Sequence, residues 1–405
     1  MISQELIAEV IDAQREIFLK KQTGVDREIL HNVHVHENFV NVITGVRRCG
    51  KSTLLLQLLR KHFDNALFLN FEDIRLAGFA TDDFRRLDAE IKNSNQTVLF
   101  FDEIQMLENW ELYVRQKVDE GFQVIVTGSN ATLLSTELGT KLTGRHLSTE
   151  LFPFSYNEFL ALKGLESSEK SAQLYFEKGG FPEYLKTDNS LILNQLLDDI
   201  LYRDIAVRYG VRDIVSLRKL AVYLISNIGK PVSATNLTKM FDIKAVSTML
   251  EYFSHLENTY VVQFVPKFSY SIKKQIRNPK KVYTIDLGLF AHNSITFTEE
   301  QGRRLENLVF LHLRRSFKEI YYFSEEQECD FVVMEREQPK LLIQVCYHLN
   351  EDNLKRELGG AFEALRYFDK KKALLVTMNQ KDRFEKEGMM VEVLPLHEFL
   401  TNSAF

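Results

Sequence analysis

The sequence predicts an α/β protein: a parallel sheet carrying a phosphate-binding loop, then a helical region, a winged-helix unit and a second α/β domain. Three observations predict it. Short apolar runs alternate with helical stretches over the first 150 residues. A glycine-rich, lysine-containing segment lies between the first of those runs and the first helix. After residue 300 the same alternation returns.

Taken in order, residues 1–35 carry a loose helical stripe of Ile7, Val10, Ile11, Ile17 and Leu19. Residues 39–44 (FVNVIT) read as a strand and 53–63 as a helix. Further strands follow at 66–71 (ALFLNF), 97–101 (TVLFF) and 123–127 (QVIVT). Strands this uniformly apolar are expected in a parallel sheet covered on both faces. Residues 155–228 read as mostly helical, broken at Gly179-Gly180-Phe181-Pro182. Two short helices at 232–240 and 245–256 precede strands at 260–265 and 281–285, which flank a basic loop; this is the order of a winged helix. A helix at 305–317 and strands at 320–323, 330–334, 341–345 and 372–377 complete the chain. The expected domains are a sheet domain with its N-terminal helix at 1–150, a helical lid at 151–214, a winged helix at 215–298 and an α/β domain at 299–405.

Composition narrows the function classes. With 405 residues, two to four domains are expected. A formal charge of -5 does not describe a polycation seeking nucleic acid, although a local basic patch still can. Cys49, Cys329 and Cys346 form no CxxC pair, so neither a zinc ribbon nor a disulfide framework is indicated. No apolar run approaches the ~18–20 residues needed to cross a bilayer. The opening MISQELIAEV lacks a signal-peptide layout, so a cytoplasmic protein with no membrane partner is expected.

The segment Gly45-Val46-Arg47-Arg48-Cys49-Gly50-Lys51-Ser52, continued by Thr53, matches G-x-x-x-x-G-K-[ST]. Glycines let the loop curl so that its N–H groups point at phosphates. Lys51 supplies the countercharge, the Ser52 hydroxyl is a Mg²⁺ ligand, and the helix that follows aims its positive end at the same anion. The match follows a strand and opens a helix, as the chemistry requires. ATP and Mg²⁺ are the expected ligands.

A second half of the site is expected at Val98-Leu99-Phe100-Phe101-Asp102-Glu103, a buried strand that ends in two carboxylates. Asp102 is the candidate for Mg²⁺, and Glu103 for activating the attacking water. The strand at 123–127 ends in Gly128-Ser129-Asn130, where a polar side chain reaches the γ-phosphate or the water, unless this is a plain turn. Arg145, in Thr143-Gly144-Arg145-His146, is either a finger that stabilises transition-state charge or an ordinary surface arginine.

Taken together, these residues resemble the AAA+-type P-loop ATPases, and more closely the prokaryotic group whose ATPase domain precedes a C-terminal domain of unknown function (the AAA_14/DUF4143 type). The marks are ITGVRRCGKSTLL, LFFDEIQ, VTGSNATLL, LTGRHLSTELFPFSYNEF, YFEKGGFPEYL, YTIDLGLF, RLEN, ECDFVV and LLIQVCYHL, which together cover most of the chain. The resemblance implies a P-loop NTPase core of five parallel strands, a polar sensor at Ser129-Asn130, an arginine at Arg145, and assembly as a homo-oligomeric ring in which Arg145 faces a neighbour's ATP.

Two features lie outside the core. Residues 267–281 (KFSYSIKKQIRNPKK) hold six basic residues, Lys267 and Lys281 among them, no acid, and Phe268 and Tyr270 interleaved. They are a candidate for sequence-independent DNA contact, or else a basic hairpin that is solvated or packs on an acidic neighbour. The presumed recognition helix sets Lys244 against Glu251 and Glu257, a poor face for a major groove. Glu306, Asp330 and the strand at 341–345 follow the order of a PD-(D/E)xK nuclease core, but Gln344 and Cys346 stand where its acid and lysine belong. A nuclease-like, nuclease-inactive domain is expected, with Lys340 and Lys355 the lysines nearest in sequence to replace the missing one. Three functions follow: an ATPase that remodels nucleic acid, a nucleotide-controlled switch for protein partners, and an ATP-dependent nuclease, the last disfavoured by the missing residues.

Overall fold

The computed structural model describes residues 2–402 except 32, 34, 135–140, 143 and 296–299. Thr143, beside the candidate arginine, therefore lies outside the described residues. The chain divides into two compact units, Met1–Phe152 and Pro153–Phe405.

In the first unit, helix α1 (Gln4–Lys20) starts where the Ser3 hydroxyl accepts the Leu6 N–H. It buries Ile7, Val10, Gln14 and Phe18, and Phe18 stacks on Phe68 with ring centroids 4.0 Å apart. The expected stripe is thus corrected at its end: Ile17 is 60% exposed and Leu19 46%. The next elements are β1 (Val40–Thr44), α2 (Lys51–His62), β2 (Leu67–Asn70), α3 (Phe84–Ser94), β3 (Val98–Asp102), α4 (Trp110–Asp119), β4 (Gln123–Gly128) and β5 (His146–Glu150). All pair in parallel in the order β2-β3-β4-β1-β5. Strands β1 and β3 are buried at every position, which is why they read as unbroken apolar runs.

The second unit opens with α5 (Tyr156–Lys163), α6 (Glu169–Lys178), α7 (Pro182–Thr187), α8 (Leu191–Asp199) with a π-helical continuation at Ile200–Val207, and α9 (Ile214–Ser226). Pro182 sits in the first turn of α7, where its missing N–H costs nothing. Then come β6 (Pro231–Val232), α10 (Ala234–Met240), α11 (Val246–Asn258), β7 (Val262–Pro266), α12 (Ile272–Arg277) and β8 (Lys280–Thr284), the strands forming a small sheet in the order β6-β8-β7. The stretch expected as a basic loop therefore contains a helix, and its last residue, Lys281, is not solvated but only 1% exposed. After α13 (Leu287–Asn293) and α14 (Gln301–Ser316) comes a mixed sheet of β9 (Ile320–Ser324), β10 (Glu328–Glu335), β11 (Gln338–Val345), β12 (Lys372–Thr377), β13 (Asp382–Lys386) and β14 (Met389–Pro395). Its order is β13-β14-β12-β11-β10-β9; α15 (Glu351–Tyr367) links β11 to β12, and α16 (Leu396–Thr401) follows β14.

Two glycine motifs of this unit interlock. The Asp286 carboxylate accepts the N–H groups of Gly180 at 2.5 Å and Leu289 at 3.0 Å, so one side chain caps α13 and anchors the 179–182 break. A Cβ on Gly180 would lie 2.4 Å from the Phe154 carbonyl oxygen, and one on Gly288 2.4 Å from that of Lys178. Backbone meets backbone here, which only glycine permits.

Candidate nucleotide site

The site lies at the carboxyl ends of the parallel strands, where an open α/β sheet leaves a crevice. The loop after β1 enters α2 through Gly50, whose φ of 104° is left-handed. Gly45 has no room for a side chain: a Cβ would lie 2.1 Å from the Leu151 carbonyl oxygen. Arg27 ties the loop from beneath, donating to the carbonyl of Cys49 at 2.8 Å and that of Phe152 at 2.6 Å. Val46 and Cys49 are buried, Thr53 is half-buried and Arg48 exposed, while Arg47 pairs with Glu72 at 2.7 Å.

Strand order brings the two halves together. Ser52 Oγ donates to Asp102 Oδ2 at 2.6 Å. Lys51 Nζ points back at the carbonyls of Gly45, 3.2 Å away, and Val46, 3.4 Å away, and pairs with Glu103 at 3.4 Å. Two residues that sequence reasoning passed over complete the shell. Asn70, at the end of β2, donates to Asp102 Oδ2 at 3.0 Å. Thr127, at the end of β4, donates to Asp102 Oδ1 and accepts the Glu103 N–H at 3.1 Å. Glu103 itself has a left-handed φ of 53°, uncommon for a glutamate and frequent at functional sites.

The electrostatics follow from burial. Burial opposes the Lys51 ammonium, but the Glu103 and Asp102 carboxylates outweigh it and hold its pKa above the ordinary lysine value. Burial likewise opposes the Glu103 carboxylate, and Lys51, Gln105 and Arg47 reverse that, so Glu103 stays below its ordinary range. Asp102 is pushed up by burial and by the Glu103 charge. A buried cation and two buried carboxylates on one edge suit an anion with a bound divalent cation.

Asn130 and Arg145 stand at the margin. Asn130 is buried and its Oδ1 accepts the Thr132 N–H at 2.8 Å, closing the turn after β4. The Ser129 hydroxyl, 1% exposed, has no partner among the described residues, an orphan that a ligand can satisfy. The exposed Arg145 guanidinium pairs with Asp119 at 2.7 Å. The donor set fits Mg²⁺: a hydroxyl and a carboxylate offer hard oxygens, and this ion takes its remaining ligands from phosphates and water. Among the described residues no group of three His, Cys, Asp or Glu forms a self-sufficient metal cage.

Fold and site define an AAA-type P-loop ATPase, a nucleotide-binding class. An AAA domain model matches residues 37–160, and a domain of unknown function, DUF8612, matches 169–300, the span that holds the interlocked glycines. The uncharacterized protein MJ1544 of Methanocaldococcus jannaschii is 35% identical across 98% of this chain and 95% of its own length. An uncharacterized protein of Haemophilus influenzae is 31% identical across 87% and 92%. The chain therefore belongs to this family of AAA-type ATPases with an appended domain of unknown function. Among solved structures, it resembles one of Drosophila ORC bound to AT-rich DNA and Cdc6 at 14% identity and a TM-score of 0.19, covering 71% of this chain and 94% of that one. It also resembles Hsp104 in a closed state with ATPγS and FITC casein at 14% identity and a TM-score of 0.27, covering 93% and 67%. No helix among the described residues is long and apolar enough to cross a membrane.

Proposed function

We propose that the chain binds ATP with Mg²⁺ at residues 45–53, hydrolyses it, and couples hydrolysis to a nucleic acid as a homo-oligomer. The observation that carries the hydrolytic reading is the contact of Ser52 with Asp102 beside a Lys51–Glu103 pair, since it joins phosphate cradle, metal ligands and base. Mg²⁺, held by Ser52 and Asp102, would neutralise charge on the phosphates. Lys51 exchanges its contacts with the loop carbonyls for phosphate oxygens. Glu103, kept ionised, accepts a proton from the attacking water. Asn130 orients the γ-phosphate end, and Arg145 serves a neighbouring subunit's ATP. Lys51→Ala is expected to abolish nucleotide binding, and Glu103→Gln to bind normally with turnover reduced at least ~100-fold. Nucleotide affinity and phosphate release measured on both variants test this; near-normal turnover of Glu103→Gln removes Glu103 from the role.

The nucleic-acid reading rests on α12 and the start of β8, where Lys273, Lys274 and Arg277 on the helix and Lys280 on the strand are exposed beside Tyr270, itself 77% exposed and stacked on Tyr367. The alternative, a nucleotide-controlled switch for protein partners, is favoured by α11, whose exposed positions carry Val246, Leu250 and Glu251 rather than bases. In this reading α10, α11 and the β6-β8-β7 sheet form the winged helix of a 215–298 domain that follows the 151–214 lid. ATPase rates with and without DNA separate the two: stimulation lost on Lys273→Glu/Lys274→Glu supports the first, and an unchanged rate with DNA the second.

A further inference from the structure

The C-terminal sheet holds a carboxylate cluster whose centre is filled by a side chain from elsewhere. Glu306 on α14 and Asp330 on β10 converge, as the order of a nuclease core requires, and Glu328 stands beside them. Into the space between them β8 extends Lys281. Its Nζ lies 2.7 Å from Glu306 Oε1, 2.8 Å from Glu328 Oε1 and 3.0 Å from Asp330 Oδ1. An ammonium has three hydrogens, and here each has a carboxylate oxygen.

The remaining valences are also used. Tyr283 Oη donates to Glu306 at 2.6 Å, and the Val345 N–H donates to Asp330 Oδ2 at 3.0 Å. Gln344, at the position of the absent acid, donates to Glu357 at 2.7 Å and accepts the Asp330 N–H at 3.3 Å. Cys346 donates toward the His348 carbonyl at 3.3 Å, and burial pushes its thiol up to about 11. Lys340 pairs instead with the exposed Glu335, and Lys355 is exposed. The lysine that reaches the carboxylates thus comes from β8, a strand that precedes Glu306 in the chain, and not from the neighbourhood of β11, where Lys340 and Lys355 lie.

We propose that Lys281 takes the place of a divalent cation in this site, so that the cluster is a latch, fastening the β7–β8 hairpin to the C-terminal sheet, and not a cleavage centre. Three carboxylates around one buried ammonium satisfy the charge requirement that such a site otherwise meets with a metal. The hairpin that bears the exposed cations of α12 is thereby fixed in register on the sheet. An additional bridge between Lys267 and Tyr322 joins the two sheets at the same end of β7, two residues beyond Val265, the partner of Lys281.

The test is thermal unfolding of the nucleotide-free full chain with EDTA or with millimolar Mn²⁺. Wild type is expected to melt at the same temperature in both. Lys281→Met is expected to melt about 10 °C lower, because it leaves buried carboxylates uncompensated, and to regain part of the loss in Mn²⁺. Adding Glu306→Gln should abolish that regain, which separates this site from any Mn²⁺ taken up near Asp102. If Lys281→Met alone does not fold, the double variant with Glu306→Gln should, since the uncompensated charge goes with it. The proposal is overturned by a Lys281→Met protein as stable as wild type, by a wild-type Mn²⁺ shift that Glu306→Gln removes, or by a double variant as defective as the single one.

Discussion

A carboxylate that accepts backbone N–H groups is ordinarily held ionised, yet burial pushes Asp286 up from 3.8 to about 6 despite its bonds to Gly180 and Leu289. The folded chain therefore binds this proton more tightly than the unfolded one. The resulting contribution to stability is fully present below about pH 4 and is lost as pH rises through about 6, a change of roughly 3 kcal/mol. Asp286→Asn removes that dependence, so its deficit relative to wild type should shrink between pH 4 and pH 7 in urea unfolding. A deficit that does not change with pH would assign the shift elsewhere. Residues of this kind were only partly legible in the sequence. Lys51, Ser52 and Asp102 announce themselves because motif spacing is local and strand ends are readable. Asn70 and Thr127 reach Asp102 across 32 and 25 residues, through a strand order that no local pattern encodes. Their one visible signal was that each ends an apolar strand with a polar group. Lys281 was visible only as part of a basic hairpin that either is solvated or packs on an acidic neighbour, and no local pattern named Glu306, Glu328 and Asp330 as that neighbour.

Elements were legible where burial was complete. The runs of β1 to β4 came through to within two residues at either end, whereas β5 did not. Both β2 and β5 are edge strands, but β2 is buried at three of four positions while β5, with the sequence His146-Leu147-Ser148-Thr149-Glu150, is buried at none, so it offers no apolar run. The β13–β14 hairpin was missed for another reason: its turn places both Glu387 (φ 52°) and Gly388 (φ 73°) in left-handed conformations, without the asparagine or aspartate that usually precedes the glycine. Helix α12, six residues with none buried, left no periodic signal at all. The glycine motifs, by contrast, were visible as motifs and acquire a cause from the interlock. Gly288→Ala should cost about 2–3 kcal/mol, because its Cβ meets the Lys178 carbonyl oxygen and neither backbone can yield cheaply. Gly302→Ala, near the start of α14 where a Cβ meets nothing within 4 Å, should be neutral or stabilise by about 0.5 kcal/mol. Thermal melts of the two single variants check the contrast, and equal effects would mean that packing at Gly288 is looser than described.

At the scale of the molecule, assembly is what the chain's own sequence says least about. If Arg145 serves a neighbour's ATP, then Arg145→Ala and Lys51→Ala proteins, each reduced at least ~1000-fold in ATPase rate, should recover activity when mixed, because each supplies what the other lacks. A monomeric Arg145→Ala protein with full activity would sink that assignment. The phosphate loop is fastened at both ends to the last residues of the first unit: Leu151 N donates to the Thr44 carbonyl at 2.7 Å just ahead of Gly45, and Arg27 bridges Cys49 to Phe152. Phe152 is also where the chain departs for the second unit. A pull on the backbone at Phe152 would act on the same few bonds that hold the loop around an anion, and any effect of the one on the other would be reciprocal, by the same factor. A pull on the chain at Phe152 would then count, thermodynamically, as a dose of nucleotide or its withdrawal, with the loop as a strain gauge.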